Sequence, residues 1–430
     1  MKPAIVRAMS RRGCCWALVL LVGCSDDGIP ADTDVNSTAS GVTSDSGIPG
    51  STGGNATSDP DPTVGTAPPT TTDPTIGDGS TGPDSTEGGS TTGGDVQGAP
   101  VLYVAGGNAV SVWAIDEVGA LTQVQVHDQG GATVGPLAQW NSQFLYAARV
   151  DQQSVSASTI DPVTGALTEL AVTNVGHLPV YLSVAPSGSW LLSADFGADL
   201  VQINPINPDG TVDGTPSQSS TVLSRPHAIV FDPGGTHVFV PHRDANLVQQ
   251  YTFDDVTGTL TPNDPPSVAL PGGAGARHIA FSPDASQAYV VNEFASSVTA
   301  FTYDATNGLL TEGQTVSALP IDFMGDNTGA DVHVSHDGAY VFASMRGLDA
   351  ISVFSTAPGG ALMYQNAFET EPRPREFGLD PFGNFLYAAG QDSGMLASYT
   401  IEADGNLTAG AVYEVGANAQ WVLGVELPVR

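Results

Sequence analysis

One short turn recurs seven times in this chain, and that recurrence limits the fold more than any other feature. It reads as an aliphatic or aromatic residue, an acid, a few small residues, Gly, any residue, Leu and Thr. Two clear copies are Ile160-Asp161-Pro162-Val163-Thr164-Gly165-Ala166-Leu167-Thr168 and Phe253-Asp254-Asp255-Val256-Thr257-Gly258-Thr259-Leu260-Thr261. The glycines are Gly119, Gly165, Gly210, Gly258, Gly308, Gly360 and Gly405, so successive copies lie 45 to 52 residues apart. Strand-rich repeats of about that period are the signature of propeller blades. The expected fold is therefore all-β, a seven-bladed β-propeller.

A second pattern lies between the turns: an apolar run, a tight turn such as Pro186-Ser187-Gly188 or Pro283-Asp284, then two alternating runs. Pro sets the first turn dihedral and Gly or Asp completes a hairpin, so each unit reads as four short antiparallel strands. Trp140, Pro186, Pro233, Pro283, His336 and Pro381 mark six such hairpins. The seventh is missing. Trp421–Leu427 reads as a lone inner strand, and Val101–Val104 with Ala109–Ile115 read as outer strands without one. The two ends are expected to share one blade, closing the ring and removing exposed sheet edges.

This register aligns the loops. Six residues before the turn position stand Val134, Val180, His227, Arg277, Ala330 and Arg375; ten residues after it stand Val150, Phe196, Arg243, Glu293, Arg346 and Gln391. The loop entering an inner strand and the loop leaving the second strand share a face. His227/Arg243, Arg277/Glu293, Ala330/Arg346 and Arg375/Gln391 are therefore expected on one rim, from four consecutive blades.

Charge makes those positions informative. The chain carries 45 acids against 12 Lys and Arg, a formal net charge of −33. Its only Lys is Lys2, and eight Arg follow Cys24. Nucleic acid is excluded as a partner, because phosphate binding needs clustered cations. A surface made without cations has no use for Arg as a solubiliser, so gathered Arg point to an anion or carboxylate site. Arg243 has a local explanation, since Asp244 follows it.

The beginning of the chain reads differently. Residues 1–23 have a basic start (Lys2, Arg7, Arg11, Arg12) and a short apolar run, as in a secretory signal too short to span a membrane. Leu21-Val22-Gly23-Cys24 resembles a bacterial lipobox, which implies cleavage before Cys24 and its lipidation. Arg11-Arg12 hints at twin-arginine export. Residues 24–98 are then a lipidated Cys and a disordered linker of Ser, Thr, Gly, Pro and Asp, too polar to offset its ordering entropy. Residues 99–430 form the propeller. All three Cys lie at or before Cys24, so that domain has no disulfide or thiol chemistry. The expected location is the cell envelope, lipid-anchored with the outer membrane favoured, or the periplasm or cell surface.

Pro226-His227, Arg277-His278, Val291-Asn292-Glu293, Ala330-Asp331-Val332-His333-Val334-Ser335, Arg346-Gly347 and Pro374-Arg375 together resemble the seven-bladed propeller lactonase family. That group includes propeller-type 6-phosphogluconolactonase and carboxy-cis,cis-muconate cyclase. The resemblance covers about residues 100–427. It implies a channel-mouth site of His227, Arg277, Glu293 and Arg346, which are catalytic in this reading, with Arg375, Gln391 and Arg243 as substrate-binding candidates. Two guanidiniums would hold a substrate anion and the developing oxyanion, and His and Glu would share general acid–base work. No metal or cofactor is required for that chemistry. His278 and His333 read as structural, bonding within their own blades, and His242 sits where other blades carry Asp195 or Asn292. Met345 and Gly390 stand where the family usually has Asn, and His336 replaces a turn Pro.

The expected activity is that of a metal-independent lactonase acting on a sugar-type or other carboxylate- or phosphate-bearing lactone, as a monomer, its partners the lactone and a membrane reached through Cys24. The alternative is a non-catalytic surface binding propeller, since fold alone does not give function. A redox propeller is disfavoured by the missing Cys-x-x-Cys-His, and no loop shows Asp ligands spaced for calcium.

Overall fold

The computed structural model describes residues 97–429. The expected signal segment, Cys24 and all but the last two residues of the expected linker lie outside them. The regular structure among the described residues is all strand, arranged as seven four-stranded antiparallel sheets. We number as blades 1 to 6 the sheets that begin at Val134, Tyr181, Val230, Ala276, Gly329 and Pro374.

Blade 7 joins the ends. Ala419–Glu426 is its inner strand and pairs with Pro100–Gly106, which continues to Ala109–Ile115 and Leu121–Asp128. The zip runs past the sheet, with Leu427 N–H donating to Ala99 O at 2.9 Å and Gly98 N–H to Glu426 Oε1 at 2.8 Å. The ring closure read from the two unmatched ends is thus the observed one.

Blades pack face to face, so a blade's middle strands are buried on both sides. His237–His242 is buried at every position, and such strands read as apolar runs rather than alternation. The outermost strands, such as Leu167–Asn174, are largely exposed. The core therefore lies between blades. Phe239 and Val248 of blade 3 cluster with Ile279, Val290 and Phe301 of blade 4. Emptying one such aromatic position costs about 3–5 kcal/mol.

The recurrent turn locks neighbours together. Its glycine holds a positive φ (63° at Gly258) and lies flat against the first residues of the preceding blade's second strand. Gly258 packs on Trp190, Gly210 on Phe144, Gly405 on Tyr340 and Gly119 on Phe385. A Cβ at any of them would overlap that ring, which explains why the sequence returns to Gly at each copy.

Candidate active site

At the rim the inner strands break register. In blade 4, Ala276 pairs with Asn292 and His278 with Val291, leaving Arg277 as an extra residue. In blade 6, Pro374 pairs with Gly390 and Glu376 with Ala389, leaving Arg375 extra. Blade 5 shifts at the same place, between Gly329 and Val332. A bulge re-aims side chains at the end of a strand. Here it puts a rim residue and its successor into the same buried network, as Arg277 with His278 and Arg375 with Glu376.

Glu293, which follows the second strand of blade 4, is the hub of the upper layer. Its Oε1 lies 3.3 Å from Arg243 Nη1 and 3.3 Å from Arg346 Nη2, and its Oε2 lies 3.6 Å from Arg277 Nε. Arg277 is fully buried and Glu293 and Arg346 nearly so. Arg346 also donates to Gly329 O at 3.1 Å. Arg243 stacks between Phe196 (4.3 Å to the ring centroid) and Phe294 (5.0 Å), and keeps its bond to Asp244 at 2.8 Å. Its local ion pair and its place in the site coexist. Three guanidiniums on one carboxylate leave an excess of positive charge, which suits an anionic or oxyanion-forming ligand.

A lower layer lies beneath Arg277. Its Nη1 and Nη2 each approach Glu376 Oε1 at 3.3 Å, and Nη1 also donates to Ala330 O and lies 3.4 Å from His278 Nε2. His278 Nδ1 is 2.9 Å from Asp331 Oδ1, and His333 Nε2 is 3.0 Å from Asp331 Oδ2. The Val332 and Phe377 amides also donate to Asp331, at 2.9 Å and 3.4 Å. Burial and the neighbouring Arg277 push the His278 imidazole down to about 4. Burial favours a neutral Asp331, but His333 and His278 outweigh it and hold that carboxyl well below the usual range. Glu376 goes the other way, well above its ordinary value, through burial and then the nearby Asp331 charge.

The rings of Tyr181 and Trp421 complete this layer, each against His278, with centroids 5.2 Å and 6.0 Å away. Tyr181, His278, Asp331 and Glu376 occupy the same position on four inner strands, one residue after the loop position singled out by the sequence, and Trp421 follows the register shift on the inner strand of blade 7. His278 Nδ1 and oxygens of Asp331 and Glu376 lie within 4.8 Å of one another, a donor set that a divalent cation could use.

The structure thus joins Arg277, Glu293, Arg346 and Arg243 directly. His227 is buried beside them, its ring 5.4 Å from Phe196 and 5.3 Å from His278. Arg375 is buried in the bulge of blade 6, near His278 and Glu376. Gln391 has both ends engaged, accepting from Arg373 Nε at 3.2 Å and donating to Asn418 at 2.8 Å, so it acts as a brace between rim loops. One expectation is corrected: His278 bonds across to Asp331 of blade 5, not within blade 4. His333 does bond inside its own strand, and His242 is buried with Nε2 2.8 Å from Gln249. Asp331 and Glu376 were missed as site residues.

All seven arginines of the described residues, at 149, 225, 243, 277, 346, 373 and 375, fall on this rim, where inner strands begin and second strands end. By contrast, a cavity of about 750 Å³ among Ile115, Asp116, Val118, Asp380, Phe382 and Phe385 lies by the turns of blades 6 and 7, with acids and no cation in its wall.

Comparison with known proteins agrees with the fold. A family model described as "Lactonase, 7-bladed beta-propeller" matches residues 97–423. A 6-phosphogluconolactonase of Klebsiella pneumoniae is 32% identical over 319 residues, 73% of this chain and 95% of that protein. One from Yersinia pestis is 32% identical over 326 residues, 75% of this chain and 96% of its own length. Among solved structures, the periplasmic gluconolactonase of Pseudomonas aeruginosa superposes with a TM-score of 0.70 at 23% identity, covering 77% of this chain and 99% of that one, a likeness of fold.

Proposed function

The chain belongs to the seven-bladed β-propeller lactonase family, and on that premise we propose that it hydrolyses a sugar-type lactone carrying a carboxylate or phosphate, from an exported and lipid-anchored position. The observation that carries the reading is the Arg277–Glu293 pair. Glu293 Oε2 and Arg277 Nε are buried, face each other at 3.6 Å, and make no hydrogen bond. One is an acceptor for a proton from water; the other is a donor for a developing oxyanion.

In this mechanism water attacks the lactone carbonyl carbon and gives its proton to Glu293 Oε2. The carbonyl oxygen becomes an oxyanion held by Arg277 and Arg346. The ring C–O bond breaks, its electron pair goes to the leaving oxygen, and His227 protonates it. The product is a hydroxy acid. Arg243 and Arg375 would bind the substrate's remote anion, and Arg243 is pre-set for that by its stacking.

The lipobox-like Leu21-Val22-Gly23-Cys24 supports anchoring. An exported enzyme would not meet an intracellular phosphosugar lactone, which favours an exogenous lactone as substrate. Proton release from a panel of gluconolactone-type, phosphorylated and uncharged lactones tests the chemistry: faster turnover of anionic lactones is expected, and no turnover of any would leave the binding-propeller alternative. Fractionation of cells making wild type or Cys24→Ala tests the anchor, with release from the membrane fraction expected only for the variant.

A further inference from the structure

Beneath Arg277 lies a cluster that the hydrolytic steps above do not use. We propose that Asp331 and Glu376 share a proton as a carboxylate–carboxylic acid pair and, with neutral His278, form a tether that fixes Arg277 for its work on the lactone; they are positioning residues. This deepens the lactonase reading and rests on it for the kinetic part.

One assignment of protons satisfies every contact. His278 carries its hydrogen on Nδ1 and donates it to Asp331 Oδ1 at 2.9 Å, so its Nε2 is an acceptor and meets Arg277 Nη1 at 3.4 Å. Asp331 takes further donors from His333, Val332 N and Phe377 N, so it must be the ionised acceptor. Glu376 accepts Arg277 on Oε1, and an oxygen of Glu376 lies within 4.8 Å of one of Asp331, where two bare carboxylates in a buried site would repel. Its other oxygen must therefore carry the proton.

Every charged or titratable group facing Glu376 fits this scheme: Arg277 and His278 from blade 4, Asp331 and His333 from blade 5, Arg375 beside it in blade 6, and Tyr181 from blade 2. The donor set resembles a metal site, but a dication there would press against Arg277 and Arg375. A proton neutralises the pair without that repulsion.

The arrangement also limits what Arg277 can do. With a neutral Glu376 the guanidinium is held only by hydrogen bonds below and is drawn towards Glu293 above. If Glu376 lost its proton, the new carboxylate would bind Arg277 as an ion and compete with the lactone oxygen for it.

The test compares purified full-length wild type with Glu376→Gln, Glu376→Ala and Asp331→Asn. Difference infrared spectra at neutral pH should show the carbonyl stretch of a protonated carboxyl in wild type and lose it in Glu376→Gln; this readout is independent of any lactone turnover. In kinetics, Glu376→Gln should recover most of what Glu376→Ala loses, because Gln keeps a donor and an acceptor. Asp331→Asn should fall further than Glu376→Gln by about tenfold or more, the worth of a charge-assisted hydrogen bond. Wild-type activity should decline on the alkaline side where Glu376 ionises, and Glu376→Gln should lack that limb. A missing carboxyl band, a Glu376→Gln variant worse than Asp331→Asn, or a stoichiometric divalent metal that Glu376→Gln releases would each overturn the tether. If wild type opens no lactone but the band behaves as described, the lactonase reading fails and the proton-sharing pair stands.

Discussion

Arg277 and Glu293 stand at the two strand ends of a single hairpin, 16 residues apart in sequence, and face each other with Nε and Oε2 3.6 Å apart and unbonded. The hairpin's own geometry sets that distance: Glu293 N–H donates to Gly275 O at 2.6 Å, which fixes the loop entering the strand against the loop leaving it. The bulge at Arg277 then turns the guanidinium into the site. A rigid scaffold, rather than a mobile loop, thus presents a charged pair for chemistry.

Removing the hub charge should be costly. Glu293→Gln keeps the shape but leaves Arg243, Arg277 and Arg346 without their common carboxylate. Breaking a buried ion pair from one side costs about 3–5 kcal/mol. Chemical denaturation should show a loss of that order. Arg243→Leu should cost less stability, because that side chain is the most exposed of the three and keeps Asp244 as a separate partner.

Acid should weaken the fold through His278. Its imidazole is held down to about 4 in the folded state, against 6.5 ordinarily. Between those values the unfolded chain binds the proton and the folded chain does not. Its stabilising contribution is therefore complete above about pH 6.5 and is lost as pH falls towards 4. Thermal unfolding followed across that range should show the loss, and His278→Asn should blunt it.

Glu376 should act with the opposite sign. Its folded value is raised above 4.5, so the unfolded chain releases the proton first as pH rises. Stability from this group is full below about pH 4.5 and declines as pH climbs through the raised value. Glu376→Gln does not ionise. The melting temperature of the variant minus that of wild type should therefore grow with pH, and a flat difference would contradict a retained proton.

The turn glycine should matter between blades. Gly258→Ala asks an L-residue to hold φ 63° and drives a methyl into the Trp190 ring. A loss of about 1–3 kcal/mol is expected, from left-handed strain and overpacking together. Trp190→Ala in the same chain should recover part of it. Purely additive losses would show that the two residues are not in contact.

The ring was legible because each of its rules is local. A Pro or Gly turn, a fixed 16-residue offset and two unmatched ends specify blades, register and closure. Arg277, Glu293, Arg346 and Arg243 emerged because arginine is scarce here and the register gathers it. Asp331 and Glu376 stayed hidden because the bulges at Arg277, Ala330 and Arg375 are invisible to a period-two reading. That reading points a residue next to Arg375 away from the site, whereas the extra residue brings Glu376 beneath it. A signal did exist: Tyr181, His278, Asp331, Glu376 and Trp421 form a polar and aromatic column on inner strands that should otherwise be aliphatic. The partner of His278 was misread for a related reason, because neighbouring inner strands converge at the channel and a side chain there reaches the next blade as readily as its own.

The most direct measurement is lactone opening by wild type, Arg277→Ala and Glu293→Gln, followed as proton release under one set of conditions. Wild type should open a gluconolactone-type substrate, and each substitution should lower kcat by about 100-fold or more, as expected when a preorganised donor to an oxyanion or its general base is removed. Turnover that survives both substitutions would contradict a site centred on the Arg277–Glu293 pair.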